Sequence, residues 1–114
     1  MQYEVKVLVC AADVLTIENS RSDNAMLDAL ASSGYKRDVG PGVYDVHSPV
    51  VPPASALSAL LSGFVATNVH NNDPRRLWVV PDCGLKTRGW PEVLGALRSM
   101  VTAAETMRVQ AAAA

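Results

Sequence analysis

The stretch "RLWVVPDCGLKTRGWPEV", residues 76–93, contains one complete strand–loop–helix unit. Its first six residues form an apolar run of strand length, and "DCGLKTRG" has the glycines and polar residues of a loop. Pro91 then stands where the first turn of a helix tolerates a missing N–H. We therefore predict a strand, a loop and a helix whose inward face comprises Val93, Leu94, Leu97, Val101 and Ala104.

Two similar units precede this one. The run "ADVLTIE", residues 12–18, predicts a first strand, followed by a helix with Asp23 as N-cap and Gly34 at its end. The run "PGVYDVHS", residues 41–48, predicts a second strand entered through a turn at residues 40–42. Parallel strands need a crossover, and a helix provides it, so three such units favour a parallel α/β sheet. The second helix is predicted to bury Leu57, Leu60, Leu61, Phe64 and Val65.

Composition limits the class of protein. The chain has 114 residues, of which 49% are hydrophobic, and a net charge of −1, which fits one modest soluble domain and excludes the basic surface of a nucleic-acid-binding protein. The opening "MQYEVKVLVCAAD" has no basic region and contains Glu4, so we expect neither a signal peptide nor a membrane span. A cytoplasmic location is the expectation. There, Cys10 and Cys83 are expected to be free thiols or ligands.

The three predicted strands end in chemically useful side chains. Functional groups of parallel α/β folds lie at the carboxyl ends of the strands, which here carry Glu18, His47 and Cys83. A carboxylate, an imidazole and a thiol on one rim indicate a functional site, with zinc-type ligands and a group that titrates near neutrality. Asp45 and Asp82 flank the rim and are candidates to orient these groups. The pattern alone is also consistent with non-functional roles. Cys83 could be a buried structural thiol, Glu18 a solvated or helix-capping carboxylate and His47 a structural histidine.

Three strings in the chain also resemble a known family. They are "DVLTIENSRSD", "GPGVYDVHSP" and "PDCGLKTRGWPEV", and in this order they resemble the C-terminal end of cobalamin-independent methionine synthase, from Ala12 to Arg108. The resemblance implies that residues 12–108 are the last part of a catalytic TIM (β/α)8 barrel, made of parallel strand–helix units. Residues 1–11 are then a divergent N-terminal segment, and residues 109–114 are a frayed tail or appendage.

The same resemblance implies roles for individual residues. Glu18 and Cys83 match zinc-ligand positions of the family, and His47 matches its proton-donor histidine. The family's other two zinc ligands, a histidine and a cysteine in an HxC arrangement, have no counterpart in this sequence. Cys10 has no histidine two residues before it, so we do not assign it as a ligand. Two of four ligand positions are therefore expected here.

The implied activity is transfer of a methyl group from 5-methyltetrahydropteroyltriglutamate to homocysteine, which forms methionine with the help of zinc. We expect the chain to be incomplete on its own and to need the missing barrel portion or another copy. One alternative is a non-catalytic α/β remnant or oligomerising module without metal. Another is a relative that methylates a different thiol.

Overall fold

The computed structural model describes residues 13–21, 23–67 and 73–113. The N-terminal segment 1–11, with Cys10, lies outside these described residues. Within them, three strands alternate with three α-helices, and a short 3-10 helix at Pro74–Arg76 leads into the last strand. The elements are β1 (Val14–Ile17), α1 (Ala25–Ser33), β2 (Asp38–Tyr44), α2 (Ala54–Val65), β3 (Val80–Pro81) and α3 (Trp90–Ala113).

The strands form one parallel sheet in the order β1-β2-β3. Strand β1 pairs with the first half of β2, from Val14 opposite Asp38 to Ile17 opposite Pro41. Strand β3 pairs with the second half of β2, and the register shifts between Gly42 and Tyr44. The predicted parallel α/β fold is confirmed, and the central strand β2 pairs with both β1 and β3.

The second strand begins earlier than the sequence indicated. It starts at Asp38, and Gly40, Pro41 and Gly42 lie inside it, buried, so the prediction of a turn there was wrong. A Cβ added at Gly40 would lie 3.1 Å from the Cγ1 atom of Val80 and 3.3 Å from Cγ2 of Thr16. The glycine therefore permits close approach of the neighbouring strands rather than a turn.

The core lies between the sheet and the helices, and α2 and α3 pack against each other. On α2 the predicted face is buried at Leu57, Leu61 and Phe64. On α3 the predicted stripe was partly wrong, because Val101 is 57% exposed. Two apolar stripes that share Val93 run along this helix, and the structure buries the one with Ala96 and Ala103, whose small side chains allow close approach. The buried residues of α3 are Val93, Ala96, Met100 and Ala103.

The helix ends also differ in part from expectation. Asn24, with φ 69°, is the N-cap of α1, and the carboxylate of Asp23 accepts a hydrogen bond from the backbone N–H of Ala25 at 3.2 Å. Gly34, with φ 77°, ends α1 as predicted. Helix α3 continues to Ala113, through residues for which no element was expected. No helix among the described residues is long and apolar enough to cross a membrane.

Candidate metal centre

Glu18, His47 and Cys83 lie together at the carboxyl edge of the sheet. A carboxylate oxygen, an imidazole nitrogen and the Sγ atom from these three exposed residues all lie within 4.8 Å of one another. The carboxyl ends of parallel strands meet at one edge, so three distant segments of the chain deliver these groups to one place. The structure therefore brings together all three residues singled out from the sequence.

Local structure positions each of the three. Glu18 directly follows β1, and Cys83 follows β3 by two residues. His47 lies in a turn after β2, in which the carboxylate of Asp45 accepts a hydrogen bond from the His47 backbone N–H at 3.0 Å. This bond orients the backbone of His47 and leaves its imidazole exposed.

Asp82 connects two of these segments. Its Oδ1 atom accepts hydrogen bonds from the backbone N–H groups of Asn19 at 3.2 Å and Ser20 at 3.1 Å. Its Oδ2 atom accepts a hydrogen bond from the hydroxyl of Ser20. The residue before Cys83 is thus bonded to the two residues after Glu18.

The charges around Cys83 disfavour its thiolate. Although Cys83 is exposed, partial desolvation by the surrounding protein is the largest cause that raises its pKa above the ordinary value. A hydrogen bond with Glu18 and the negative charges of Glu18, Asp82 and Asp45 raise this pKa further. Arg21 also lies at the rim, with its Nε atom 3.6 Å from Oδ2 of Asp45. A bound cation would reverse this balance, because it stabilises both the thiolate and the carboxylates.

The donor set fits zinc. Zinc binds thiolate sulfur at about 2.3 Å, and imidazole nitrogen and carboxylate oxygen at about 2.0–2.2 Å. Ligands arranged tetrahedrally at those lengths are separated by roughly 3.3–3.8 Å. The observed separations, within 4.8 Å, therefore require only a small closure of exposed side chains around one ion.

Sequence reasoning missed Asn19, which is 2% exposed beside the cluster of Glu18, His47 and Cys83. Its Nδ2 atom donates a hydrogen bond to Oδ1 of Asn24 at 2.8 Å, and its own Oδ1 atom has no hydrogen-bond partner among the described residues. A hollow of about 280 Å³ lies beside it, lined by Glu18, Asn19, Arg21 and Asp82. No local pattern signals this burial, because it arises from contact with a segment 63 residues away.

A larger apolar groove, of about 780 Å³, lies elsewhere on the molecule. Its wall includes the exposed side chains of Trp78 and Val101, and none of Glu18, His47 and Cys83 lines it. Trp78 is 51% exposed there, and Trp90 is also exposed. Among the described residues, the chemically reactive groups thus gather at the carboxyl edge and not in the larger groove.

Comparisons with known proteins identify the family of this chain. The model of the family described as "Cobalamin-independent synthase, Catalytic domain" matches residues 4–106. A 5-methyltetrahydropteroyltriglutamate–homocysteine methyltransferase from Corynebacterium efficiens is 56% identical over 97 residues, which are 85% of this chain and 12% of the relative. Another protein with the same description, from Thermosynechococcus vestitus, is 53% identical over 97 residues, again 85% of this chain and 12% of the relative.

A solved structure shows the same fold. The chain superposes on a B12-independent methionine synthase from a Shewanella species with a TM-score of 0.74 and 18% sequence identity. The superposition covers 97% of this chain and 31% of that protein. The chain spans about an eighth of the length of the curated relatives that it matches. It belongs to the cobalamin-independent methionine synthase family and corresponds to part of that family's catalytic domain.

Proposed function

We propose that this chain forms part of a zinc-dependent methyltransferase that moves a methyl group from 5-methyltetrahydropteroyltriglutamate to homocysteine, which yields methionine. The observation that carries the proposal is the convergence of Glu18, His47 and Cys83 at one edge of the sheet. The descriptions of the relatives support the choice of methyl donor and acceptor.

Glu18 and Cys83 would hold the zinc ion, through a carboxylate oxygen and the Sγ atom. When bound, zinc would lower the pKa of the thiol of the acceptor, homocysteine, which would then react as the thiolate at neutral pH. Both residues are exposed at the rim, so their ligand atoms are accessible without rearrangement of the core. The carboxylates that raise the pKa of Cys83 in the absence of a cation make the same rim attractive to a divalent ion.

His47 would act as the proton donor. As the methyl group passes from N5 of the donor to the acceptor sulfur, the N–C bond breaks and its electron pair stays on the nitrogen. That nitrogen is a poor leaving group unless it is protonated, and an imidazole N–H of His47 can supply the proton, since histidine is the side chain that most often acts as a general acid. The Asp45 bond to its backbone keeps the residue at the rim.

The chain would act together with the rest of the barrel. The family's remaining ligand positions and most substrate contacts would come from a longer protein that contains this segment, from a separate chain or from another copy. An exposed thiol that must stay reduced to serve as a ligand suits the cytoplasm.

A chimera tests the proposal. Residues 12–108 would replace the matching segment of the Corynebacterium efficiens methyltransferase, to which the chain is 56% identical over 97 residues. The purified chimera is expected to transfer methyl groups to homocysteine, and removal of zinc by a chelator is expected to stop the reaction reversibly. A folded, zinc-loaded chimera without methyl transfer would contradict the catalytic role of this segment.

A second candidate is a non-catalytic module that forms oligomers without metal. The apolar groove favours it, because exposed Trp78 and Val101 at its wall are typical of a contact surface. Under this alternative, sedimentation of the purified chain with chelator present gives a dimer that Trp78→Ser converts to monomer. A monomer throughout the concentration range would reject it.

A further inference from the structure

The two proposed zinc ligands Glu18 and Cys83 lie on separate loops, and the distance between them depends on what joins those loops. Among the described residues, the Asp82 carboxylate joins the two loops. It accepts hydrogen bonds from two backbone N–H groups and one hydroxyl of the residues that directly follow Glu18. Its own backbone N–H donates to the carbonyl oxygen of Tyr44 at 3.0 Å. Asp82 therefore joins the loop after β1 to the ends of β2 and β3.

The link passes over the central strand at Gly42. A Cβ atom added there would lie 2.2 Å from Oδ1 of Asp82 and 2.8 Å from its Cα atom, so no side chain fits beneath the carboxylate. Strand β2 lies between β1 and β3, and only a bare backbone at this position lets the carboxylate reach from one outer strand to the other. Space, and not an unusual backbone conformation, is what requires glycine here.

The bonding pattern separates Asp82 from the ligands. Both of its carboxylate oxygens accept hydrogen bonds from the loop after β1, and Asp82 is not one of the residues whose ligand atoms cluster within 4.8 Å. Asn19 directly follows Glu18, and Cys83 directly follows Asp82. A bond between Asn19 and Asp82 thus sets the separation of the two proposed ligands.

We infer that Asp82, in the space left by Gly42, is a positioning residue that holds Glu18 and Cys83 at metal-binding distance without contacting the metal. The inference rests on the proposed zinc centre. Zinc binding then requires more than the two ligand residues. It also needs a hydrogen-bond acceptor at position 82 and no side chain at position 42.

Zinc affinity is the first test. The zinc affinity of the chimera, which also contains the family's remaining ligand positions, is measured by competition with a chromophoric chelator. It is expected to fall about 10- to 100-fold in Asp82→Ala, as is typical when a residue that supports a ligand is lost. Asp82→Asn keeps an oxygen for the two backbone N–H groups, so it should lose less. Asp28→Ala removes an exposed carboxylate on α1 and serves as the control, with unchanged affinity expected. Unchanged affinity in Asp82→Ala, or equal losses in the alanine and asparagine variants, would overturn the inference.

Amide hydrogen exchange in the metal-free chain is the second test, and it does not depend on zinc. The amides of Asn19 and Ser20 are expected to be protected, and to exchange at least about tenfold faster in Asp82→Ala. The Trp78 amide, which donates to the carbonyl oxygen of Val39 at 3.0 Å at the other end of the sheet, should not change. Zinc binding with unprotected Asn19 and Ser20 amides would reject the positioning role alone. Protected amides in a chain whose chimera binds no zinc would reject the proposed metal centre.

Gly42→Ala gives a variant that keeps Asp82 but displaces it. It is expected to weaken zinc binding and to expose the Asn19 and Ser20 amides, as Asp82→Ala does. Gly63→Ala is the matched control, because a Cβ there has its nearest neighbour at 3.8 Å. If Gly42→Ala binds zinc as tightly as Gly63→Ala does, the close approach at Gly42 has no positioning role.

Discussion

Asp38 and Asp82 are carboxylates at opposite edges of the same sheet, and they have different partners. Asp38, at the amino end of β2, accepts a hydrogen bond from Nε of Arg76 at 2.9 Å and another from Nε1 of Trp78 at 3.1 Å. Asp82, beyond the carboxyl end of β3, accepts only neutral donors in its described bonds and lies near Glu18. At the amino edge, the negative charge of Asp38 is paired with Arg76. At the carboxyl edge, negative charges lie close to the thiol of Cys83.

The difference separates a structural edge from a reactive one. A paired carboxylate stabilises the fold modestly and has little left to offer a ligand. Carboxylates gathered near a thiol disfavour its ionisation until a cation arrives, and the cation then becomes the largest charge of the site. Changes at the carboxyl edge should therefore affect metal binding and chemistry, whereas changes at the amino edge should affect stability.

The largest expected effect is at Cys83. Cys83→Ser replaces a thiolate donor by a hydroxyl, which zinc binds poorly, so zinc affinity should fall more than about 100-fold, beyond the loss typical of a supporting residue. Chelator competition on the purified chimera measures it. Asp28→Ala is the control and should bind zinc normally. Equal zinc affinity in both variants would show that Cys83 is not a ligand, and the proposed difference between the two edges would then be wrong.

His47→Gln should affect the reaction and not the metal. In the chimera, loss of a proton donor is expected to lower the rate of methyl transfer by about 10²- to 10⁴-fold, while zinc affinity stays unchanged. Rate assays and chelator competition on the same preparation distinguish the two effects. A parallel fall in zinc affinity would instead make His47 a zinc ligand, which its position within 4.8 Å of the other two groups allows.

Asp38→Ala, at the amino edge, should lower the stability of the fold and leave metal binding unchanged. It removes the bonds to Arg76 and Trp78, and because these groups are partly exposed we expect a loss of about 1–2 kcal/mol in the free energy of unfolding. Denaturant titration measures this loss, with Asp28→Ala as the control. Zinc affinity should not change. Weakened zinc binding in a still-folded variant would show that the two edges are not independent.

The smallest effect concerns the Cys83 thiol in the metal-free chain. Desolvation, the hydrogen bond with Glu18 and nearby negative charges raise its pKa, so less thiolate is present at a given pH than in a free cysteine. Glu18→Gln removes one of those charges and should move the pKa down, which raises the rate of alkylation at about pH 8 several-fold. Iodoacetamide labelling over a pH series checks this, with Glu105→Gln as control. Identical pH profiles would show that Glu18 does not act on the thiol.

Local patterns predicted much of this molecule. The alternation of apolar runs with loops gave the order of strands and helices, and Gly34 marks the end of α1. The start of β2 was misplaced, because glycine and proline usually signal turns and here they lie in a buried strand. The buried stripe of α3 was misassigned at Val101, since both stripes of that helix are apolar and only its neighbours decide between them.

The sequence by itself determined the family, the parallel α/β plan and the three side chains carried by the strand ends, because these depend on residue identity and short-range periodicity. Only the tertiary structure decided that Glu18, His47 and Cys83 share one site and that Asp82 bonds to the loop after β1 across Gly42. Those contacts join residues up to 65 positions apart (Glu18 and Cys83, 83 − 18), and strand register and close packing, which no local pattern encodes, bring them together.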